Sequence, residues 1–155
     1  MIYVTVSGCS KHFLRLLKKI DEIAAEIEEE VIMQTGTDYV PKNAGFKKYF
    51  SRKETNQLMQ KAALIVAHAG IGTIISAVKL EKPIVIVPRL KKYGEHFNDH
   101  QLEICKALEN QKGIKVVYDL DCLKEALMFR EKTNWPPEKR QNLIIEIRNF
   151  LNSFS

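Results

Sequence analysis

Two stretches of the chain carry side chains better suited to chemistry than to packing. In "IVAHAGIGT", Ile65 to Thr73, an apolar run ends in His68, Gly70, Gly72 and Thr73. Glycines between a strand-like and a helix-like segment let the main chain turn sharply and approach a ligand closely. The helix N-terminus that follows attracts anions, and Thr73 is placed to cap it or to offer a hydroxyl to a phosphate. In "PRLKKYGEHFNDHQ", Pro88 to Gln101, Arg89, Lys91, Lys92, Glu95, His96, Asn98, Asp99, His100 and Gln101 crowd into fourteen positions. Ordinary structure accounts for part of both stretches. The glycines suit a tight turn, Asn98 with Gln101 has the spacing of a capping box, and the lysines suit solvated surface. It does not account for Glu95-His96, an imidazole and a carboxylate side by side, which are the usual proton carriers.

The elements that must position these groups follow from periodicity. β-Branched runs at "MIYVTV", "EVIMQTG", "ALIVAHAG", "KPIVIVP" and "GIKVVYD" read as strands, with "GFKKYF" as a further one. Helical spacing marks "KHFLRLLKKIDEIAAEIEEE", with the acidic run Glu26 to Glu30 as its solvated end. The same spacing marks "SRKETNQLMQKA", opened by a Ser51/Glu54 capping box, and "TIISAVKL", "NDHQLEICKALENQ" and "LDCLKEALMF". About five βα alternations with near-continuous Val/Ile strands predict a doubly wound, Rossmann-like parallel sheet buried under helices on both faces. The reading divides the chain into a domain over 1–132 and an amphipathic helical extension over 133–155, with Leu143, Ile144, Ile147, Phe150 and Leu151 on one face. In such folds ligands sit where strands end and helices begin, so both polar stretches fall on one rim.

Composition narrows the chemistry. With 155 residues, 45% of them hydrophobic, one core is expected. The net charge of +5 fits an anionic small molecule, a membrane surface or nucleic acid. Basic residues are interspersed with acids and lack an aromatic stacking pattern, which disfavours nucleic acid. Cys9, Cys105 and Cys122 have no metal-ligand or disulfide-framework spacing, so a reducing cytoplasm is the expected setting, and no metal site is expected. No apolar run approaches the roughly 18 residues of a membrane span, and the N-terminus lacks the features of a signal peptide. Ile75 stands where a dinucleotide fingerprint needs its third glycine, and the next strand ends without an acidic residue for a ribose diol. NAD is therefore disfavoured, with Arg89 keeping a 2′-phosphate contact open.

Together "VTVSG", "QTG", "HAG" and "PRLKKYGEHFNDHQ" resemble the C-terminal, donor-binding half of inverting GT-B glycosyltransferases, the glycosyltransferase family 28 C-terminal domain. Within it they resemble above all the small subunits of two-component exopolysaccharide and dolichol-linked N-acetylglucosamine transferases. The likeness runs from about Tyr3 to Leu127.

That resemblance implies a UDP-sugar at the rim. His68, Gly70, Gly72 and Thr73 would face the diphosphate and sugar, and Asn98, Asp99 and Gln101 the sugar hydroxyls. Ser7, Gly8 and Ser10 would face the donor, and Phe50 and Ser51 the uracil. Arg89 and the helix N-termini would stabilise the departing UDP. His96, Glu95 and His68 are the candidates for the base. Ser76 stands where the peptidoglycan enzyme has a ribose-binding glutamate, and "VSG" replaces the usual "VGT". The absence of an Asp-x-Asp motif agrees with a metal-independent reaction without cofactor. The acceptor-side half would come from a separate membrane-associated subunit that holds this chain at the inner face of the membrane, the extension helix being one contact and packing on its own sheet the other possibility. Two other functions stay open: a non-catalytic enhancer of a membrane glycosyltransferase, and a free-standing nucleotide-binding regulator.

Overall fold

The computed structural model describes residues 1–6, 12–132 and 135–154. Its strands β1 (Ile2–Thr5), β2 (Val31–Gln34), β3 (Gly45–Lys47), β4 (Leu64–His68), β5 (Ile84–Val87) and β6 (Ile114–Val116) form one parallel sheet in the order β3-β2-β1-β4-β5-β6. Helices α1 (Leu14–Ala24), α2 (Arg52–Lys61), α3 (Ile71–Lys79), α4 (His100–Leu108), α5 (Leu123–Ala126) and α6 (Pro137–Asn152) cover it.

The strand pattern explains the two layers, because successive side chains leave opposite faces of the sheet. Ile2, Val4, Leu64, Val66, Val85 and Val87 meet Leu16, Leu17 and Ile20 of α1 and Leu123 and Ala126 of α5. Tyr3, Ile65, Ala67, Ile84 and Ile86 meet Ile74, Ala77 and Val78 of α3, Ile104 and Leu108 of α4, and the buried face of α6. Strands β4 and β5 are buried along their whole length, which is why they read as unbroken apolar runs rather than alternating ones. The chain leaves β1 toward β2 through α1 and leaves β4 toward β5 through α3, on opposite sides of the β1–β4 pair. The switch point of the sheet therefore lies at the C-terminal ends of those two strands, where a fold of this kind opens a crevice.

Four expected details change. Helix α1 stops at Ala24, so the acidic run lies in the connection to β2 and not at a helix end. Glutamates stacked on the negative end of a helix dipole oppose its extension. Helix α3 begins at Ile71 with Gly70 as its N-cap, which puts Gly72 inside the helix and leaves Thr73 a residue of its first turn, not its cap. Asn98 and Gln101 form no capping box: α4 starts at His100, and both side chains bond elsewhere. The last predicted helix of the sheet region splits into a 3₁₀ turn, Leu120–Cys122, and the single-turn α5. The Ser51/Glu54 capping box forms, with the Glu54 N–H donating to Ser51 Oγ at 3.2 Å and the Ser51 N–H donating to Glu54 Oε2 at 2.8 Å.

Helix α6 packs on its own domain. Leu143, Ile144 and Ile147 are buried in the same cluster as α3 and α4, and beyond them Phe154 stacks on His100 with ring centroids 4.5 Å apart. Truncating Ile144 to alanine is expected to cost about 2–4 kcal/mol in urea unfolding, the usual loss for a buried Ile. A helix held only by a partner would show almost none of that loss in the isolated chain.

Candidate functional site

His68 pairs with Val87 in register, so the turn after β4 and the segment after β5 leave the sheet side by side at the same end. Each of the two polar stretches thus starts from an adjacent strand, and the crevice beside β1 lies next to the first.

The β4 turn is built around close contact. Gly70 has ordinary φ and ψ of −91° and 124°, so backbone freedom does not explain it. Contact does: a Cβ there would lie 2.1 Å from His68 Nε2 and 2.7 Å from its Cε1. The imidazole rests on the Gly70 main chain, and no other residue leaves it room. Gly72 is the opposite case, because apart from its chain neighbours and its own helix backbone no atom of the described residues lies within 4 Å of its Cβ position. The N-cap of α3 is a glycine and so has no side chain to cap it, and the first helical bond runs from the Ile74 N–H to the Gly70 carbonyl at 3.1 Å. The N–H groups of Ile71, Gly72 and Thr73 are thus left at the positive end of the helix dipole, beside the crevice. Ser76 donates its hydroxyl to the Gly72 carbonyl at 2.9 Å.

His68 is buried at 6% exposure, and its Nδ1 has no hydrogen-bond partner among the described residues. Burial, reinforced by the Arg89 charge and opposed by the Thr5 main chain, pushes its pKa down to about 4, with His96 adding a smaller push. The ring is therefore neutral at physiological pH.

The segment after β5 is laced by its own side chains. Three successive main-chain N–H groups donate to three side chains: Arg89 to Gln101 Oε1 at 3.0 Å, Leu90 to Glu95 Oε2 at 3.0 Å and Lys91 to Asp99 Oδ1 at 2.9 Å. Asn98 Oδ1 accepts the His100 N–H at 3.1 Å and lies 3.0 Å from His96 Nδ1. A main-chain N–H can only donate, so the Asn98 oxygen must face it. The Asn98 N–H donates to the same Nδ1 at 3.4 Å, so Asn98 holds the His96 ring through this one nitrogen. Gly94, at φ 68°, closes the 3₁₀ turn Lys91–Tyr93 in the left-handed region. Arg89 is 1% exposed, its guanidinium 5.4 Å from the centre of the Phe13 ring.

Phe50 and Ser51 stand on the same end of the sheet, after β3, three strands from β4 in the sheet order. Phe50 donates its N–H to Gln34 Oε1 at 3.0 Å and meets the Tyr3 ring edge-on. Ser51 is committed to its capping box. Ser7, Gly8 and Ser10 lie outside the described residues. Among the described residues no group of three or more His, Cys, Asp or Glu side chains could hold a metal ion.

Sequence reasoning passed over two ionic anchors, one buried and one half-buried. Asp21 on α1 accepts the N–H groups of Lys42 and Asn43, each at 2.8 Å, and the Tyr39 hydroxyl at 3.0 Å, fixing the β2–β3 connection. Arg15 on α1 grips Glu95 through Nε to Oε1 at 2.8 Å and Nη2 to Oε2 at 3.0 Å. Both sit among the apolar residues of an amphipathic helix, a position that signals a buried partner without saying which.

The fold is that of a Rossmann-like, doubly wound α/β domain with the N-terminus of α3 at its switch point. Residues 1–133 match the glycosyltransferase family 28 C-terminal domain, and the chain belongs to that family. It is 25% identical over 150 residues to the UDP-N-acetylglucosamine transferase subunit ALG13 of Debaryomyces hansenii, a match covering 86% of this chain and 69% of that one. It is 30% identical over 106 residues to the UDP-N-acetylglucosamine–N-acetylmuramyl-(pentapeptide) pyrophosphoryl-undecaprenol N-acetylglucosamine transferase of Prochlorococcus marinus, covering 61% of this chain and 28% of that enzyme. The chain therefore spans under a third of the length of the latter. Among solved structures, that of ALG13 superposes with a TM-score of 0.63 at 17% identity, covering 94% of both chains. Acinetobacter baumannii MurG superposes at 0.56 and 18%, covering 95% of this chain and 49% of that one. At such identities these structures establish the fold, that of the GT-B glycosyltransferases.

Proposed function

We propose that this chain is the donor-binding, catalytic subunit of a two-component inverting glycosyltransferase. It takes a hexose, N-acetylhexosamine or uronic acid from a UDP-sugar to a lipid-linked acceptor bound by a membrane-associated partner. The observation that carries this reading is the β4 turn, where a helix N-terminus with a glycine N-cap, a Gly72 that no side chain of the described residues crowds and a neutral histidine lie together at the switch point. A diphosphate fits that combination, because main-chain N–H groups and the helix dipole stabilise its charge without a metal ion. The subunit character is supported by the likeness to the Debaryomyces hansenii protein named as a transferase subunit, which covers 86% of this chain. No helix among the described residues is long and apolar enough to cross a membrane.

In the transfer, the acceptor hydroxyl gives its proton to a base as its oxygen bonds to the sugar C1 on the face opposite the diphosphate. The C1–O bond to phosphate breaks, and the electron pair leaves with UDP onto the α3 N-terminus. Among the three base candidates His96 fits best, since Asn98 orients its ring through Nδ1 and the other two are compromised. Glu95 is engaged by Arg15, and His68, with a pKa near 4, accepts protons poorly at neutral pH. Asn98, Asp99 and Gln101 keep their amide N–H groups or second carboxylate oxygen for sugar hydroxyls while their other oxygens hold the segment in shape.

Titration calorimetry with UDP and with UDP-glucose, UDP-galactose, UDP-N-acetylglucosamine and UDP-glucuronate is expected to show saturable binding that includes UDP itself. Absence of binding, alone and with the membrane partner, would overturn the donor-binding role and leave the enhancer reading.

A further inference from the structure

We infer that Arg15 is a positioning residue, clamping the His96-bearing segment over the β4 turn from the other side of the crevice. It stands in the first turn of α1, the helix that follows β1, while its partner Glu95 stands after β5. Strand β4, carrying His68, lies between β1 and β5 in the sheet. The ion pair therefore bridges the two connections that flank the β4 turn.

The geometry is a fork on a fork, the arrangement that fixes direction as well as distance. Arg15 Nε donates to Glu95 Oε1 at 2.8 Å and Nη2 to Oε2 at 3.0 Å, and Nη2 also reaches the Pro88 carbonyl at 3.3 Å. The guanidinium lies 4.8 Å from the centre of the Tyr93 ring and 5.4 Å from that of Phe13. Glu95 is 4% exposed, and its Oε2 also accepts the Leu90 N–H. A carboxylate this buried requires its cation. The bonds of Gln101, Asp99 and Asn98 close the segment on itself, whereas Arg15 ties it to a different layer of the fold. His96 follows Glu95 directly, so its imidazole inherits the orientation the clamp sets.

Lysine cannot reproduce this arrangement, because an ammonium is a point charge without a planar fork. Arg15→Lys keeps the charge beside Glu95 and is expected to leave UDP affinity within about threefold of the parent. Hydrogen exchange at the Leu90 amide is expected to speed by about tenfold or more, while the Lys91 amide, held by Asp99, stays protected. As a clamp on the base, which rests on the transferase reading above, it is expected to lower kcat by about 10- to 100-fold with KM for the donor nearly unchanged. Arg15→Gln, which also removes the charge, is expected to exceed Arg15→Lys on both measures. Exchange reads the clamp whether or not the chain transfers sugar: unchanged Leu90 protection in both variants overturns it, even if the parent is inactive. An unchanged kcat in an active complex overturns its role in positioning, as does a fall in kcat matched by an equal loss of UDP affinity. If the parent binds no UDP, the function fails while the exchange result still decides the clamp.

Discussion

Alanine at Gly70 and alanine at Gly72 are expected to act in opposite directions on stability, though both add one methyl group to the same turn. At Gly70 the methyl would sit 2.1 Å from His68 Nε2, and the ring it strikes is buried with little room to move. Forcing a group into a filled site costs about 1–3 kcal/mol, and here the displaced side chain is itself part of the site. Gly70→Ala should therefore lower the urea midpoint and abolish detectable UDP binding. At Gly72 the methyl meets none of the described residues, and the position is helical. Alanine is the better helix former by about 1 kcal/mol, so Gly72→Ala should raise the melting temperature by a few degrees. Among the described residues there is thus no packing reason for this glycine. If its open space takes the diphosphate, the same substitution weakens UDP by tenfold or more. A more stable Gly72→Ala variant with parental UDP affinity would place the donor elsewhere.

Acid is expected to remove a sizeable share of the stability through a single buried ring. An ordinary histidine has a pKa near 6.5, and His68 in the folded chain is pushed down to about 4. Between those values the unfolded chain binds a proton that the folded one refuses, so stability falls as pH drops from about 6.5 to 4. The contribution is fully present above pH 6.5 and amounts to about 3 kcal/mol, at 1.36 kcal/mol for each pH unit of difference. Urea unfolding at pH 7, 6, 5 and 4 checks it against His68→Gln, which carries no titrating ring. The parent should lose about 3 kcal/mol more than the variant across that range. Parallel pH profiles would mean that the ring protonates freely in the folded state and is not held in the pocket described.

Residue pattern alone determined that this chain builds a parallel sheet under two layers of helices, because strand and helix periods are local properties that side chains one to four positions apart reveal. It also determined that His68 and the Pro88–Gln101 segment would share a rim, since each follows a strand of a doubly wound fold, and the Ser51 cap, whose partners are three residues apart. Only the tertiary structure decided what individual side chains do there. Asn98 and Gln101 have capping-box spacing, yet Gln101 turns to the Arg89 N–H, because the chain folds back on itself between them and β5. Glu95 reads as a proton carrier until Arg15, eighty positions earlier, closes on it. The two glycines look alike in sequence, and only the place of the His68 ring separates the one that packing requires from the one that leaves space. Burial and long-range pairing depend on which distant segments meet, and no local spacing encodes that.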